Sequence, residues 1–338
     1  MYYMDQRKKT TGLIIGKFLP PHNGHKYLVD FARNYVDDVY VQVCSIAAEP
    51  IRGEIRFQWM KEIFGGHSGV HILHNDDENP QYPHEHPEFW NIWKESIEKR
   101  IGNVKIDYVF ASEEYGFMLA EVLGAQYIAV DHMRELVPIS GTEIRENPYK
   151  NWGFIPEEVR PYFTKKICIF GPESTGKSTL TKKLAAYFQT VYVHEYARPL
   201  LDLQSGKCEY SDIEKIARGH HSAIKSMLYR SNGILFVDTD ILTTKLWSEE
   251  LFGRYPEIID EIIQEQTYDL YLLCDVDTPW VDDIQRYLPN ESARKRFFTL
   301  CESTLKEYNR SYVVISGNWE ERLNSAIRHS ERIIDSNK

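Results

Sequence analysis

The chain has no Cys-x-x-Cys pair, no long apolar run and no excess of positive charge, and each absence removes a class of function. Its five cysteines, Cys44, Cys168, Cys208, Cys274 and Cys301, are dispersed. An odd, scattered set fits a reducing cytoplasm. Four of them lie in or beside apolar stretches, where cysteine packs as a small hydrophobe. No apolar segment approaches the roughly 20 residues of a membrane span. The segment Met1 to Thr11 is polar and charged, without the apolar core of a signal peptide. A cytoplasmic location is therefore expected. The formal net charge of −10 leaves no overall basic surface, so nucleic acid is not an expected partner. Anionic nucleotides remain compatible, because their sites use a few local cations and backbone N–H groups. Internal repeats and low-complexity segments are also missing.

What is present is an ordinary globular composition. The 338 residues are 42% hydrophobic and 27% charged, enough for two domains that each bury a core. The sequence leaves homo-oligomerisation open. Short β-type runs at 12–15, 39–46, 70–73, 106–111 and 126–130 alternate with helical spacing at 25–35, 56–64 and 89–101. The polar, Pro-bearing stretch 74–87 reads as loop. Alternation of this kind predicts a parallel sheet with helices on both faces. The pattern stalls near 147–163, where Pro148, Gly153, Pro156 and Pro161 cluster. A second alternating series follows, with strands at 166–170, 189–194, 233–238, 270–275 and 312–316. The expected fold class is α/β, with two doubly wound domains spanning 1–160 and 161–338.

A motif heads each half. The first is Gly16-Lys17-Phe18-Leu19-Pro20-Pro21-His22-Asn23-Gly24-His25. Pro20 and Pro21 stiffen the turn, and Gly24 allows close approach of a ligand. His25 is expected to begin a helix, where backbone N–H groups favour phosphate. Two imidazoles there can donate to phosphate oxygens as charge moves onto a leaving pyrophosphate. Further along, Ser140 and Glu143 have the spacing of a capping box, with Arg145 one turn in. These residues resemble the nucleotidylyltransferase superfamily. The resemblance implies a Rossmann-like domain in which His22 and His25 contact the ATP phosphates. Gly16, Lys17, Phe18, Gly24, Ser140, Thr142 and Arg145 would complete the ATP site. For the acceptor, Trp90 and Trp93 share one helix face and serve either as core or as a wall against a flat cationic ring. Arg52 and Arg56 bind an acceptor phosphate or simply cap and solvate the following helix.

The second motif, Gly171-Pro172-Glu173-Ser174-Thr175-Gly176-Lys177-Ser178, has the G-x-x-x-x-G-K-[ST] form between a strand and a helix. It predicts a P-loop kinase. Gly171, Glu173, Ser174, Thr175, Gly176, Ser178 and Thr179 would hold ATP, Lys177 would bridge the transferred phosphate, and Ser178 would ligate Mg²⁺. Glu195, Asp238 and Asp240 stand at strand ends. One is expected to hold Mg²⁺, with Asp238 the candidate, and another to accept the acceptor's hydroxyl proton. Which does which is open from the residues alone. Arg286 is placed to act as a lid cation over the transferring phosphate.

Taken together, residues 12–330 resemble the NadR family. The resemblance rests on the order of the motifs and on Glu173-Ser174-Thr175, Glu195-Tyr196-Ala197-Arg198, Val237-Asp238-Thr239-Asp240 and Thr278-Pro279-Trp280-Val281-Asp282-Asp283. It implies a nicotinamide-nucleotide adenylyltransferase fused to a ribosylnicotinamide kinase. The small-molecule partners would be ATP, nicotinamide riboside, nicotinamide mononucleotide and NAD, with Mg²⁺ as cofactor. Longer members carry an N-terminal helix-turn-helix domain. About eleven residues before the first strand are too few for one, so DNA binding is not expected of this segment. Two other readings compete: the same chemistries on a different acceptor, or a nucleotide-sensing regulator.

Overall fold

The structure, a computed structural model, describes residues 8–279, 287–288 and 290–335. The chain divides into two compact units, 1–159 and 160–338. In the first, the elements run β1 (Thr11–Gly16), α1 (Asn23–Tyr35), β2 (Asp38–Cys44), α2 (Gly53–Phe64), β3 (Val70–Asn75), α3 (Phe89–Ile101), β4 (Tyr108–Ala111), α4 (Tyr115–Leu123), β5 (Gln126–Ala129) and α5 (Gly141–Glu146). The second runs α6 (Arg160–Phe163), β6 (Lys165–Phe170), α7 (Lys177–Tyr187), β7 (Tyr192–Val193), α8 (Ala197–Leu203), α9 (Tyr210–Leu228), β8 (Ile234–Asp238), α10 (Ile241–Phe252), α11 (Ile258–Glu265), β9 (Leu270–Cys274), α12 (Glu291–Glu307), β10 (Tyr312–Ile315) and α13 (Trp319–Asp335).

Each unit holds a five-stranded sheet whose strands pair in parallel, in the orders β3-β2-β1-β4-β5 and β10-β9-β6-β8-β7. In the first sheet the chain steps outward from β1 to β3, then returns to lay β4 against β1. That reversal opens a crevice beyond the carboxyl ends of the strands, where open α/β sheets take their ligands. In the second sheet the motif strand β6 is flanked by β8 and β9 in the same way.

The strands of the second sheet are legible because both faces are covered. Every residue of β8 and β9 is buried, and parallel strands of this kind read as unbroken apolar runs. Alternate residues feed opposite cores. Cys168, Phe170, Leu235, Val237, Tyr271 and Leu273 pack with α9, α10 and α12. Ile167, Ile169, Phe236 and Leu272 pack with α7 and α13.

Three sequence expectations need correction. The strand expected over 189–194 shrinks to Tyr192–Val193. Gln189 adopts a left-handed φ of 50°, and Thr190 N–H returns to the Ala185 carbonyl at 2.9 Å, so the chain is still closing α7. The stretch expected to be loop from 74 begins as strand, with His74 and Asn75 paired to Val43 and Cys44. Helix α1 starts at Asn23 rather than His25, with His22 as its N-cap. Among the described residues no helix is long and apolar enough to cross a membrane.

Candidate active sites

In the first unit, the turn after β1 folds back on itself around two stacked imidazoles. His22 and His25 lie with ring centroids 3.7 Å apart, and Phe18 packs on His25 at 4.8 Å. The His22 backbone N–H donates to His25 Nδ1 at 3.2 Å. In a neutral ring this leaves the proton on Nε2, which becomes a donor. Both rings are held neutral: burial, with the nearby positive charge of Arg134, lowers His22 to about 4 and His25 well below its ordinary value. His22 Nδ1 is buried without a partner. Gly24 has a use beyond the one expected. A Cβ there would press on the His22 ring at 3.0 Å, so this glycine makes room for an imidazole. Gly16 likewise faces the Phe18 ring, at 3.2 Å.

The second segment docks directly onto this turn. Ser140 and Glu143 form the expected capping box: Glu143 N–H donates to Ser140 Oγ at 3.2 Å, and Ser140 N–H to Glu143 Oε2 at 2.8 Å. A Cβ on Gly141 would overlap the Leu19 carbonyl oxygen. Arg145 donates to that same carbonyl and to Thr142 Oγ1. Residues some 120 positions apart thus share one wall. His22, His25, Gly24, Lys17, Phe18, Ser140, Thr142 and Arg145 all line a cavity of about 920 Å³. Gly16 lies just behind that lining.

The acceptor residues separate into two groups. Trp90 and Trp93 line the cavity and also pack on the apolar cluster around Leu13, Ile97 and Leu119; Trp93 Nε1 donates to the Pro80 carbonyl at 2.9 Å. Core and cavity wall are therefore one surface. Arg56 is a correction. It is fully buried, absent from the cavity lining and tied to Glu49, the Lys17 carbonyl and the Cys44 carbonyl, a strut between the motif turn and β2. Arg52 is exposed at the N-cap of α2 and does not line the cavity. Lys17 pairs with Glu49 at 3.1 Å while remaining 52% exposed at the rim. Arg134 went unnoticed in the sequence. It lines the cavity, carries charge toward both histidines and pairs with Glu113 at 2.9 Å. It sits in an irregular loop, where no periodicity marks it.

In the second unit, the loop after β6 has the backbone that a phosphate cradle requires. Gly171, Ser174 and Gly176 have φ of 131°, 58° and 81°. Thr175 Oγ1 and Lys177 Nζ both donate to the Pro172 carbonyl at 2.8 Å, so the loop closes on itself. Ser178 and Thr179 follow in the first turn of α7, where unpaired N–H groups and the helix dipole favour anions. Glu173 uses one carboxylate oxygen to accept the Tyr287 and Leu288 N–H groups at 2.9 and 3.1 Å. Arg322 was not anticipated either. It is buried and donates to the carbonyls of Gly317, Thr175 and Asp275 and to Asp277, so α13 braces the loop.

The three candidate carboxylates differ. Glu195 lines a cavity of about 200 Å³ together with residues 173–179. Asp238 is outside that lining and hydrogen-bonds Ser178; burial, reinforced by the Glu195 charge, raises it to about 6. Its Oδ1 has no partner. Asp240 lines the same cavity as Glu195, and burial raises it to about 6. It differs in its partners: it caps α10 through the Leu242 and Thr243 N–H groups at 2.9 and 3.3 Å and accepts the Tyr271 hydroxyl at 2.7 Å, so both its oxygens are engaged. Arg286, and the family segment 280–285, lie outside the described residues.

The comparisons with known proteins agree across most of the chain. A family model described as "AAA domain" matches residues 166–322. The protein named "Trifunctional NAD biosynthesis/regulator protein NadR" from Escherichia coli (strain K12) is 34% identical, over 91% of this chain and 79% of that one. Its namesake from Salmonella typhimurium (strain LT2) is 33% identical over the same shares. A crystal structure of NadR protein in complex with NAD and AMP-PNP superposes with a TM-score of 0.76 at 22% identity, covering 97% of this chain and 96% of that one. At that identity the superposition speaks for the fold.

Proposed function

Because the chain belongs to the NadR family, we propose that it is a two-step enzyme of NAD synthesis. Unit 160–338 phosphorylates nicotinamide riboside with ATP, and unit 1–159 joins the resulting mononucleotide to the adenylyl group of a second ATP. The observation that carries this reading is that each unit has its own nucleotide-handling constellation lining its own cavity. The first reaction makes the 5′-phosphate that the second needs as nucleophile.

In the kinase step, the acceptor's 5′-hydroxyl attacks the γ-phosphorus, the bond to the β-bridging oxygen breaks, and ADP leaves. Glu195 is the better base: it lines the cavity, whereas Asp240, which lines it too, has both oxygens engaged as the cap of α10, and Asp238 faces Ser178. Lys177 and the loop N–H groups hold the phosphates in line. Ser178 and Asp238 fit as holders of Mg²⁺, because Asp238 is a carboxylate with one oxygen unpartnered beside a hydroxyl. When bound, Mg²⁺ neutralises charge on the phosphate oxygens.

In the adenylyl step, a phosphate oxygen of the mononucleotide attacks the α-phosphorus, and pyrophosphate leaves with the former bridging oxygen. The protein supplies no nucleophile. His25 offers Nε2–H, and Arg145 and Arg134 offer positive charge to the leaving group. Trp90 and Trp93 present flat aromatic surface to the pyridinium ring.

Incubation with ATP, Mg²⁺ and nicotinamide riboside, followed by chromatography, tests the whole scheme. Mononucleotide followed by NAD is the expected sequence of products. Mononucleotide alone would overturn the first-unit assignment. Absence of turnover with retained ATP binding would overturn both.

A further inference from the structure

Three polar side chains in the wall of the second unit's cavity are buried without completing their hydrogen bonds. His220, Thr239 and Thr243 are 4%, 5% and 5% exposed. His220 Nδ1, Thr239 Oγ1 and Thr243 Oγ1 each lack a partner. All three residues line the same cavity as Glu195. A buried polar group left unpaired costs on the order of 1–3 kcal/mol, and folded proteins leave few of them. Three in one cavity wall, outside the phosphate loop, call for a ligand with matching groups.

Their chemistry narrows that ligand. The Thr239 carbonyl can only accept, so His220 Nε2, 3.2 Å away, carries the ring proton. Burial holds the imidazole below its ordinary pKa, against the opposing pull of the Thr239 and His194 backbone and the Glu195 charge. The ring is therefore neutral near pH 7, and Nδ1 presents a lone pair. The threonine hydroxyls donate and accept. A carboxylate or phosphate, which only accepts, would leave Nδ1 unpaired. A hydroxyl both donates and accepts, and satisfies all three. The backbone is also held unusually here: Thr239 has a left-handed φ of 71°, fixed by its N–H to the Ile169 carbonyl at 2.9 Å and by His220. Such strain costs on the order of 1–3 kcal/mol and concentrates at ligand sites.

We propose that His220, Thr239 and Thr243 form a subsite that reads sugar hydroxyls on the kinase acceptor, selecting a ribonucleoside over its deoxy counterparts. The proposal rests on the kinase reading above and adds the groups by which the acceptor is recognised.

The test compares kcat/KM of the full chain for nicotinamide riboside and for its 2′-deoxy and 3′-deoxy analogues, with calorimetric binding of the same three compounds. Sites built to hydrogen-bond a hydroxyl reject analogues lacking it by up to about 10⁴–10⁵. A loss of at least about 100-fold is expected for one of the two analogues. Thr243→Val and Thr239→Val, nearly isosteric, should narrow that preference to under about tenfold by slowing the ribonucleoside alone. Thermal unfolding reports whether each variant is folded, and the wild-type ratios stand if one is not. Equal kcat/KM for all three compounds would overturn the subsite and keep the kinase reading. An undiminished preference in both folded variants would overturn the residue assignment. Binding that favours the ribonucleoside without phosphorylation would support the subsite and overturn the kinase reading. Neither binding nor turnover would overturn both.

Discussion

Gly141→Ala is the sharpest single test of how the first site is assembled. A Cβ at this position overlaps the Leu19 carbonyl oxygen and stands 3.4 Å from Arg145 Nη1. The obstacle is backbone, so no flexible side chain can swing aside. To regain ordinary contact, the start of α5 and the motif turn must part by about 1 Å. Overpacking of this kind costs roughly 1–3 kcal/mol. The functional loss should be larger than the stability loss suggests, because Arg145 donates to the same Leu19 carbonyl. Displacing reacting groups by about 1 Å can cost about 100-fold in rate, or about 2.7 kcal/mol. The assay is pyrophosphate release from ATP and nicotinamide mononucleotide, run beside riboside phosphorylation as an internal control. Adenylyl transfer should fall about 100-fold while phosphorylation holds, since Gly141 belongs to unit 1–159. Gly66→Ala, whose Cβ would meet nothing within 4 Å, should change neither. Adenylyl transfer within about threefold of wild type in Gly141→Ala would refute the idea that this contact holds the two phosphate segments together.

Other expectations follow from the same geometry. Lys177→Ala should abolish phosphorylation and leave adenylyl transfer intact, and His25→Ala should do the reverse; loss of both activities in a folded variant would mean the sites are not independent. Trp90→Ala should raise KM for the mononucleotide and lower the thermal midpoint together, because one ring face serves cavity and core; a lowered midpoint with unchanged KM would make it core alone. Asp238, raised to about 6 by burial and the Glu195 charge, must be ionised to hold a cation, so phosphorylation should fall as pH drops below about 6; a flat profile down to pH 5 would remove Asp238 from that role. His22, lowered to about 4, binds its proton more weakly folded than unfolded. Its contribution is therefore full above pH 6.5 and lost as pH falls toward 4, amounting to about 3 kcal/mol; because His25 and His220 are lowered too, the measure is how much less stability His22→Ala loses than wild type between pH 7 and pH 4.5 in denaturant unfolding, and equal losses would refute it.

The legible parts of this protein are those in which one local pattern dominates. The unbroken apolar runs of β8 and β9 follow from burial on both faces, and the amphipathic spacing of α3 appears in the structure with the same bounds, Phe89–Ile101. The P-loop and the His22 and His25 turn are short, contiguous and spaced by their own chemistry. Reading failed where a residue's role depends on a distant partner. Arg56 looks like a surface cation, yet β1 and β2 bring it two carbonyls and Glu49. Asp240 looks like a strand-end acid, yet Tyr271 on β9 and the start of α10 use both its oxygens. Arg134, Arg322 and His220 lie in a loop or on helices where nothing local distinguishes them.

The sequence by itself determined the two parallel sheets, the two motif turns and the family, because hydrophobic period and contiguous motif spacing are properties of short stretches of chain. Tertiary structure alone decided which charges are struts, which carboxylates already have both oxygens engaged and which buried groups still lack a partner. Hydrogen bonding and ionisation depend on atoms within a few ångströms, and in these folds those atoms come from segments tens to more than a hundred residues away.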